Sequence, residues 1–417
     1  MNTAKILGKT IAASIVALSL ITVGAGSSGR AVAAESGPTV SAKLAKPLKA
    51  AQEAITARNY DEALSKIREA QAMPEKTADD SYVIDSLLLK IYAGKNDMAS
   101  AIPILEQMVP TKYTTPEQRK TWVKAIAQYY YQQKDFTKAL DYAEQAVKAG
   151  ATDNDTVELV AKSQFQLGKY REAAASMQDV VSKMEKPDED SLKLLWVSNE
   201  KAGDKAGSAK AIEKLVTYYP KPEYWANALA SLVNADTKDA HLQLNVYRLM
   251  LDVGVLKRGA DYADMAELSL DQGYPGETQS VLQKAFGENV FTEQRDKDRY
   301  QHLLDGAKQR AANDQASLPT QEKDAANAPN GDKFVQVGAA YMSYGQNDKA
   351  IANISKGIAK GGLKYPDEAN LLLGIAQLRS HNTAEAQRSF EKVSTSSNAG
   401  YARLGKLWAL HAGAKSA

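Results

Sequence analysis

Four histidines, His241, His302, His381 and His411, stand at least 30 positions apart in a chain of 417 residues, and no His-Glu-x-x-His pair sets two ligands on one helix face. Histidines so isolated serve packing or the surface, and no metal is expected. Gly361-Gly362 lacks the spacing and the Lys-Ser/Thr of a phosphate-cradling loop. No Gly-x-Ser-x-Gly nucleophile turn occurs. The adjacent carboxylates Glu189 and Asp190 follow Pro187, which reads as a helix start favoured by the macrodipole rather than an acid/base pair. Tyr129, Tyr130 and Tyr131 suggest a stacking platform, but consecutive helical side chains diverge by about 100° and cannot share a face. Tyr130 belongs in the core and Tyr131 on the open face. The chain has no cysteine, which removes disulfides, thiolate metal sites and a lipid-anchoring thiol. Neither an enzyme nor a cofactor is expected.

With catalysis absent from the motifs, the elements themselves carry the information. Strong helix formers dominate and β-branched residues are sparse, so the expected fold is all-α. A short turn, an aromatic and then an alanine three residues later recur in Asn59-Tyr60-Asp61-Glu62-Ala63, Lys134-Asp135-Phe136-Thr137-Lys138-Ala139 and Gly168-Lys169-Tyr170-Arg171-Glu172-Ala173. Gly345-Gln346-Asn347-Asp348-Lys349-Ala350 repeats the pattern without the aromatic. The small residues Ala63, Ala101, Ala139, Ala173, Ser208, Thr278, Ala350 and Ala386 are separated by 38, 38, 34, 35, 70, 72 and 36 positions. In residue type and offset these segments resemble the tetratricopeptide repeat (TPR), an antiparallel helix pair of about 34 residues. The steps of 70 and 72 each accommodate two repeats, which puts degenerate copies near Leu242 and Asn313 and makes ten pairs. Small residues also recur in the first helices, at Ala51, Ala127, Ala161, Ala266, Gly338 and Gly374; Leu89 and Trp196 break that rule. The resemblance implies a right-handed solenoid of about ten pairs.

The expected domains are a cleaved leader at 1–34, an array at 35–310, an irregular linker or shortened helix at 311–332, and further pairs with a capping helix at 333–417. The linker follows from helix breakers around Ser317-Leu318-Pro319 and Ala328-Pro329-Asn330-Gly331. The cap follows from the apolar stripe of Leu404, Leu407, Trp408 and Leu410. The leader rests on Lys5 and Lys9, an apolar run from Ile11 to Val23, and small residues ending at Ala33-Ala34. That order is a secretory signal peptide, too short in its apolar run to span a bilayer. The expected location is the periplasm, with no membrane span after cleavage. Net charge is +2 from 52 basic and 50 acidic residues, a balance that attracts neither nucleic acid nor anionic lipid broadly.

In TPR arrays the first helices line a concave groove. The resemblance assigns to that groove Lys124, Gln128 and Tyr131, then Glu158, Lys162 and Phe165, then Lys193 and Val197. Residues 215–225 (Leu-Val-Thr-Tyr-Tyr-Pro-Lys-Pro-Glu-Tyr-Trp), Tyr247 to Leu256, Gly361-Gly362-Leu363-Lys364 and Leu371 to Ala376 resemble the periplasmic TPR proteins encoded beside TonB, ExbB and ExbD. That resemblance implies an accessory of TonB-dependent uptake, with TonB, ExbD or a TonB-dependent transporter as partner. A scaffold for outer-membrane biogenesis, peptidoglycan synthesis or polysaccharide export is the competing reading. An envelope enzyme with TPR repeats is a remote third, because no segment outside the array is long enough to hold a catalytic domain.

Overall fold

The computed structural model describes residues 38–233 and 239–414, which form twenty helices and no strand. The expected leader lies outside the described residues. Nine successive helix pairs account for most of the chain. They are α1 (Ala42–Thr56) with α2 (Tyr60–Gln71), α3 (Ala78–Lys95) with α4 (Met98–Met108), and α5 (Pro116–Gln132) with α6 (Phe136–Lys148). Next come α7 (Asn154–Gln166) with α8 (Tyr170–Ser182), α9 (Glu189–Ala202) with α10 (Lys205–Tyr218), and α11 (Pro222–Val233) with α12 (Ala240–Asp252). The pair α13 (Gly259–Asp271) and α14 (Pro275–Gly287) precedes a single long helix, α15 (Gln294–Asn327). After it come α16 (Asp332–Ser343) with α17 (Asn347–Lys360), α18 (Pro366–Arg379) with α19 (Thr383–Ser394), and the terminal α20 (Ala399–Ala414). Two compact units divide at Ser208 and Ala209, inside α10.

The repeat phase holds at every marker. Each small residue read from the spacing is the fourth residue of a second helix, and all except Ser208 are fully buried. Two positions before each of those helices the backbone turns left-handed, at Arg58, Asn96, Lys134, Gly168, Gly203, Gly273, Gly345 and His381. One residue with φ near +60° to +80° reverses the chain, so glycine is frequent there and the others bear a modest steric cost. Four first helices of the N-terminal unit, α3, α5, α7 and α9, start on side-chain caps. Thr77 and Asp80 form a capping box, as do Thr115 and Gln118 ahead of Pro116. Asp80 does more, because its carboxylate also accepts from Ser41 N at 2.8 Å and Ser41 Oγ at 2.6 Å, tying the start of α1 to α3. Burial opposes its charge, but these donors pull its pKa down to about 2.

In the N-terminal unit apolar clusters follow one another along the array. Leu44, Leu48, Ile67, Val83 and Ile91 pack first, then Leu89, Ile102, Leu105, Trp122 and Ile126, then Ala127, Leu140, Leu159 and Val160. Each layer is built by neighbours in sequence, as a repeat protein requires. Of the two exceptions to the small-residue rule, Leu89 is fully buried and Trp196 is partly exposed.

The expected linker at 311–332 is corrected by α15, which stays helical through Asn327 despite Pro319. A single proline removes one donor, and tertiary packing overrides it here. Its buried residues are Tyr300, Leu304, Ala307, Ala311, Leu318 and Ala325. Their spacing of three, four and seven is one narrow stripe, enough to lie against α14 and α16. Tyr344 donates to Asp314 at 2.7 Å, and Lys360 donates to the Ala326 carbonyl at 2.8 Å. The tenth pair expected near Asn313 is therefore one helix. The copy near Leu242 is present as α12, but Leu242 meets the last helix instead of a partner's small residue: a Cβ on Gly400 would lie 2.4 Å from its methyl group.

The terminal helix does more than cap. Within the C-terminal unit α20 returns to the unit's beginning, where Arg403 reaches Ser231 Oγ at 2.7 Å and the Ala228 carbonyl at 3.2 Å on α11. The unit closes on itself. Among the described residues no helix is long and apolar enough to cross a membrane.

Two glycines test this packing. A Cβ on Gly338 would stand 2.5 Å from Ile354, whereas Gly306, exposed on α15, has nothing within 4 Å. Thermal unfolding is expected to register Gly338→Leu as a loss of about 1–3 kcal/mol by overpacking and Gly306→Ala as a gain of about 0.5–1 kcal/mol.

Candidate partner-binding face and polar core

First helices of neighbouring pairs touch one another, α1 with α3, α5 with α7 and α7 with α9. These contacts line α5, α7 and α9 up side by side in the N-terminal unit. All eight groove residues read from the sequence are partly exposed on that row: Lys124, Gln128 and Tyr131 on α5, Glu158, Lys162 and Phe165 on α7, Lys193 and Val197 on α9. The helix positions between them hold the core, with Trp122, Val123, Ile126, Leu159, Val160, Leu192 and Leu195 buried.

The charges on this row are paired within the row. Lys124 reaches Asp153, the N-cap of α7, at 2.6 Å. Lys162 pairs with Glu158 at 2.6 Å, and Glu158 also accepts from Ser191 of α9 at 2.9 Å. Burial works against the Lys162 ammonium, but Glu158 holds its pKa above the ordinary value. Lys193 pairs with Glu189 at 3.0 Å. Lys124 thus ties α5 to α7 and Glu158 ties α7 to α9, while the Lys162 and Lys193 pairs each lie within one helix. The aromatics are half-buried, each set edge-on to the residue that opens the next helix: Tyr131 to Phe136 at 5.4 Å and Phe165 to Tyr170 at 5.3 Å. Tyr130, read as a core residue, is partly buried rather than sealed; it stacks on Tyr142, and both phenols donate to Glu106.

Sequence reasoning did not find the polar core of the C-terminal unit. Arg248, 1% exposed in the middle of α12, makes a two-pronged ion pair with Glu277 of α14 at 2.8 and 2.6 Å. Its third donor meets Asn245 at 2.9 Å, and Asn245 donates in turn to Glu368 of α18 at 3.0 Å. Glu368 lies 2.8 Å from His241 at the start of α12. Burial opposes charge on both Arg248 and Glu277, yet their mutual attraction raises the first pKa and lowers the second, so both stay ionised. Beside this chain a cavity of about 260 Å³ is lined by His241, Tyr274, Lys364, Tyr365 and Glu368 among others. The available signal was Arg248 inside Leu244-Asn245-Val246-Tyr247-Arg248-Leu249-Met250, where a helix otherwise buried on most sides carries a charge. Among the described residues no cluster of three or more His, Asp or Glu side chains could hold a metal ion.

Both units carry the TPR-type fold. Residues 94–180, about a fifth of the chain, match the family model of the anaphase-promoting complex (cyclosome) subunit 3. Among curated proteins none matches the sequence significantly. Solved structures with similar helical arrays include a tetratricopeptide repeat protein from Parabacteroides merdae, 13% identical, covering 79% of this chain and 98% of that one at a TM-score of 0.29. Naa15/Naa10 bound to HypK-THB is 14% identical over 90% of this chain and 62% of the other, with a TM-score of 0.37. The TPR2AB domain of yeast Sti1, in a complex with pHSP90, is 16% identical over 71% and 99% at a TM-score of 0.24. Scores this low leave those proteins' partners without bearing on this one.

The buried pair gives a clear expectation. Glu277→Leu alone strands the Arg248 charge and should cost about 3–5 kcal/mol, whereas Arg248→Met combined with Glu277→Leu should recover most of that loss. Thermal unfolding of the two variants checks it, and additive losses would contradict the coupling.

Proposed function

We propose that this protein is a non-catalytic scaffold for protein–protein interaction, with the row of α5, α7 and α9 as its partner-binding face. The observation that carries the reading is the continuous strip of half-exposed residues from Lys124 to Val197, laid over a sealed apolar core. A strip of alternating paired charges with two half-buried aromatics suits an extended peptide or a helix edge. Aromatic rings at such positions contribute contact area at low entropic cost.

The finer reading places the protein in the periplasm as an accessory of TonB-dependent energy transduction. Its support is the leader-like order of residues 1–34 and the likeness of 215–225, 247–256 and 361–376 to TPR proteins encoded with that system. TonB, ExbD or a TonB-dependent transporter is then the partner. Photo-crosslinkers at Tyr131 and Phe165 in cells, followed by mass spectrometry of the trapped protein, test this. Recovery of one of those three supports the reading, while repeated capture of polymer-synthesis or outer-membrane assembly machinery sinks the TonB role and leaves the scaffold.

Two further outcomes are expected. The mature protein begins at Ala34 or Glu35, which intact mass of the exported form decides. Lys124→Glu combined with Lys162→Glu weakens the crosslinked partner by about tenfold or more, roughly 1.4 kcal/mol, with the helical circular dichroism signal kept; unchanged affinity would remove this face from the proposal.

A further inference from the structure

Helix α12 is held at both ends by histidine–carboxylate pairs that bridge to the far end of the sequence. At its start His241 Nδ1 lies 2.8 Å from Glu368 Oε2 of α18, and the imidazole lies on Tyr365 with ring centroids 4.3 Å apart. At its end Asp252 Oδ2 lies 2.5 Å from His411 Nε2 of α20. The His411 ring stands edge-on to Trp225 and Trp408. Two of the chain's four histidines thus sit on the seam that closes the C-terminal unit. Further polar contacts lie along this seam: Asn245 to Glu368, and Arg403 to Ser231, to the Ala228 carbonyl and to Glu213 at 3.6 Å.

We propose that closure of the C-terminal unit is proton-linked: protonated His241 clasps the start of α12 to Glu368 of α18, while the His411–Asp252 contact holds its other end to α20, and loss of the His241 proton loosens the seam. A protonated imidazole turns a neutral hydrogen bond to a carboxylate into a charge-assisted one, and the strength of a half-buried pair depends on that charge. The groups facing His241 are Glu368, Asp239 and Lys364. Donation to the Glu368 carboxylate leads in raising its pKa above the ordinary 6.5, burial works against it, Asp239 adds to the rise and Lys364 subtracts. Facing His411 are Asp252, the neutral indoles of Trp225 and Trp408, and the Arg379 guanidinium, which shares the field of Asp252. For His241 the folded value is raised, so its stabilisation is complete below the unfolded value near 6.5 and is lost as pH rises through the raised one.

Hydrogen–deuterium exchange of the full mature chain at pH 6 and pH 8, corrected for the intrinsic rate, tests the seam. Peptides from α12 and α20 are expected to exchange about threefold to tenfold faster at pH 8, as one weakened clasp implies. Peptides from α5 and α6, in the N-terminal unit, keep their protection. In His241→Gln with His411→Gln the seam exchanges at the faster rate at both pH values. An equal pH response in all four helices, or a full response in the double variant, overturns the proposal. Should the double variant fail to fold, the wild-type imidazole resonances decide: His241 titrating above 6.5 together with pH-dependent seam exchange supports the clasp, and titration at or below 6.5 overturns it.

Discussion

A charged arginine sealed inside a helical array constrains everything packed around it. Arg248 lies on α12 with all three faces of its guanidinium engaged, by Glu277 of α14, by Asn245 one turn back, and by the ring of Tyr274 at 5.3 Å. Taking two charges out of water costs several kcal/mol each, and only well-formed pairing offsets it. Any slip of α12 against α14 by one turn would leave an unpaired charge in a dry interior. The pair thus fixes register, and through Asn245 and Glu368 that register passes to α18, 123 positions further along the chain.

The two units solve the end problem of a repeat protein differently. In the N-terminal unit each layer is sealed by its sequence neighbours, and α1 is pinned by Ser41 on Asp80. Such an array can gain or lose repeats without changing its logic. The C-terminal unit instead covers its exposed faces with each other: α20 packs on α11 and α12, with Phe390 stacked on Trp408 behind it. Replacing one helix pair by the single long α15 belongs to that departure, since the stripe on α15 serves α14 and α16 at once.

The proposed binding face has an electrostatic character that bare composition obscures. Its lysines are neutralised at 2.6–3.0 Å by carboxylates on the same row, so a partner meets a patterned surface with little net charge. Exposed pairs of this type contribute little stability, about 0.2–1 kcal/mol each. Their use is positional: Lys124 to Asp153, and Glu158 to Ser191, set the spacing of α5, α7 and α9 and with it the distance between Tyr131 and Phe165.

The sequence by itself determined the repeat. Spacing of small residues located the fourth position of eight second helices, because close helix approach demands a small side chain regardless of what surrounds it. The row on α5, α7 and α9 came from the resemblance to TPR arrays, and its eight residues are partly exposed on those helices. Only the tertiary structure decided the rest. Breaker-rich residues 311–327 are helical because α14, α16 and α17 supply apolar surface and hydrogen bonds that local propensity cannot anticipate. Leu242 looked like a degenerate repeat because its neighbour is Gly400, more than a hundred positions away. His241, Arg248, Glu277, Glu368 and His411 were scattered polar residues in the sequence. Closure of the C-terminal unit brings them into its core and along its seam, and contacts of such long range leave no period to read.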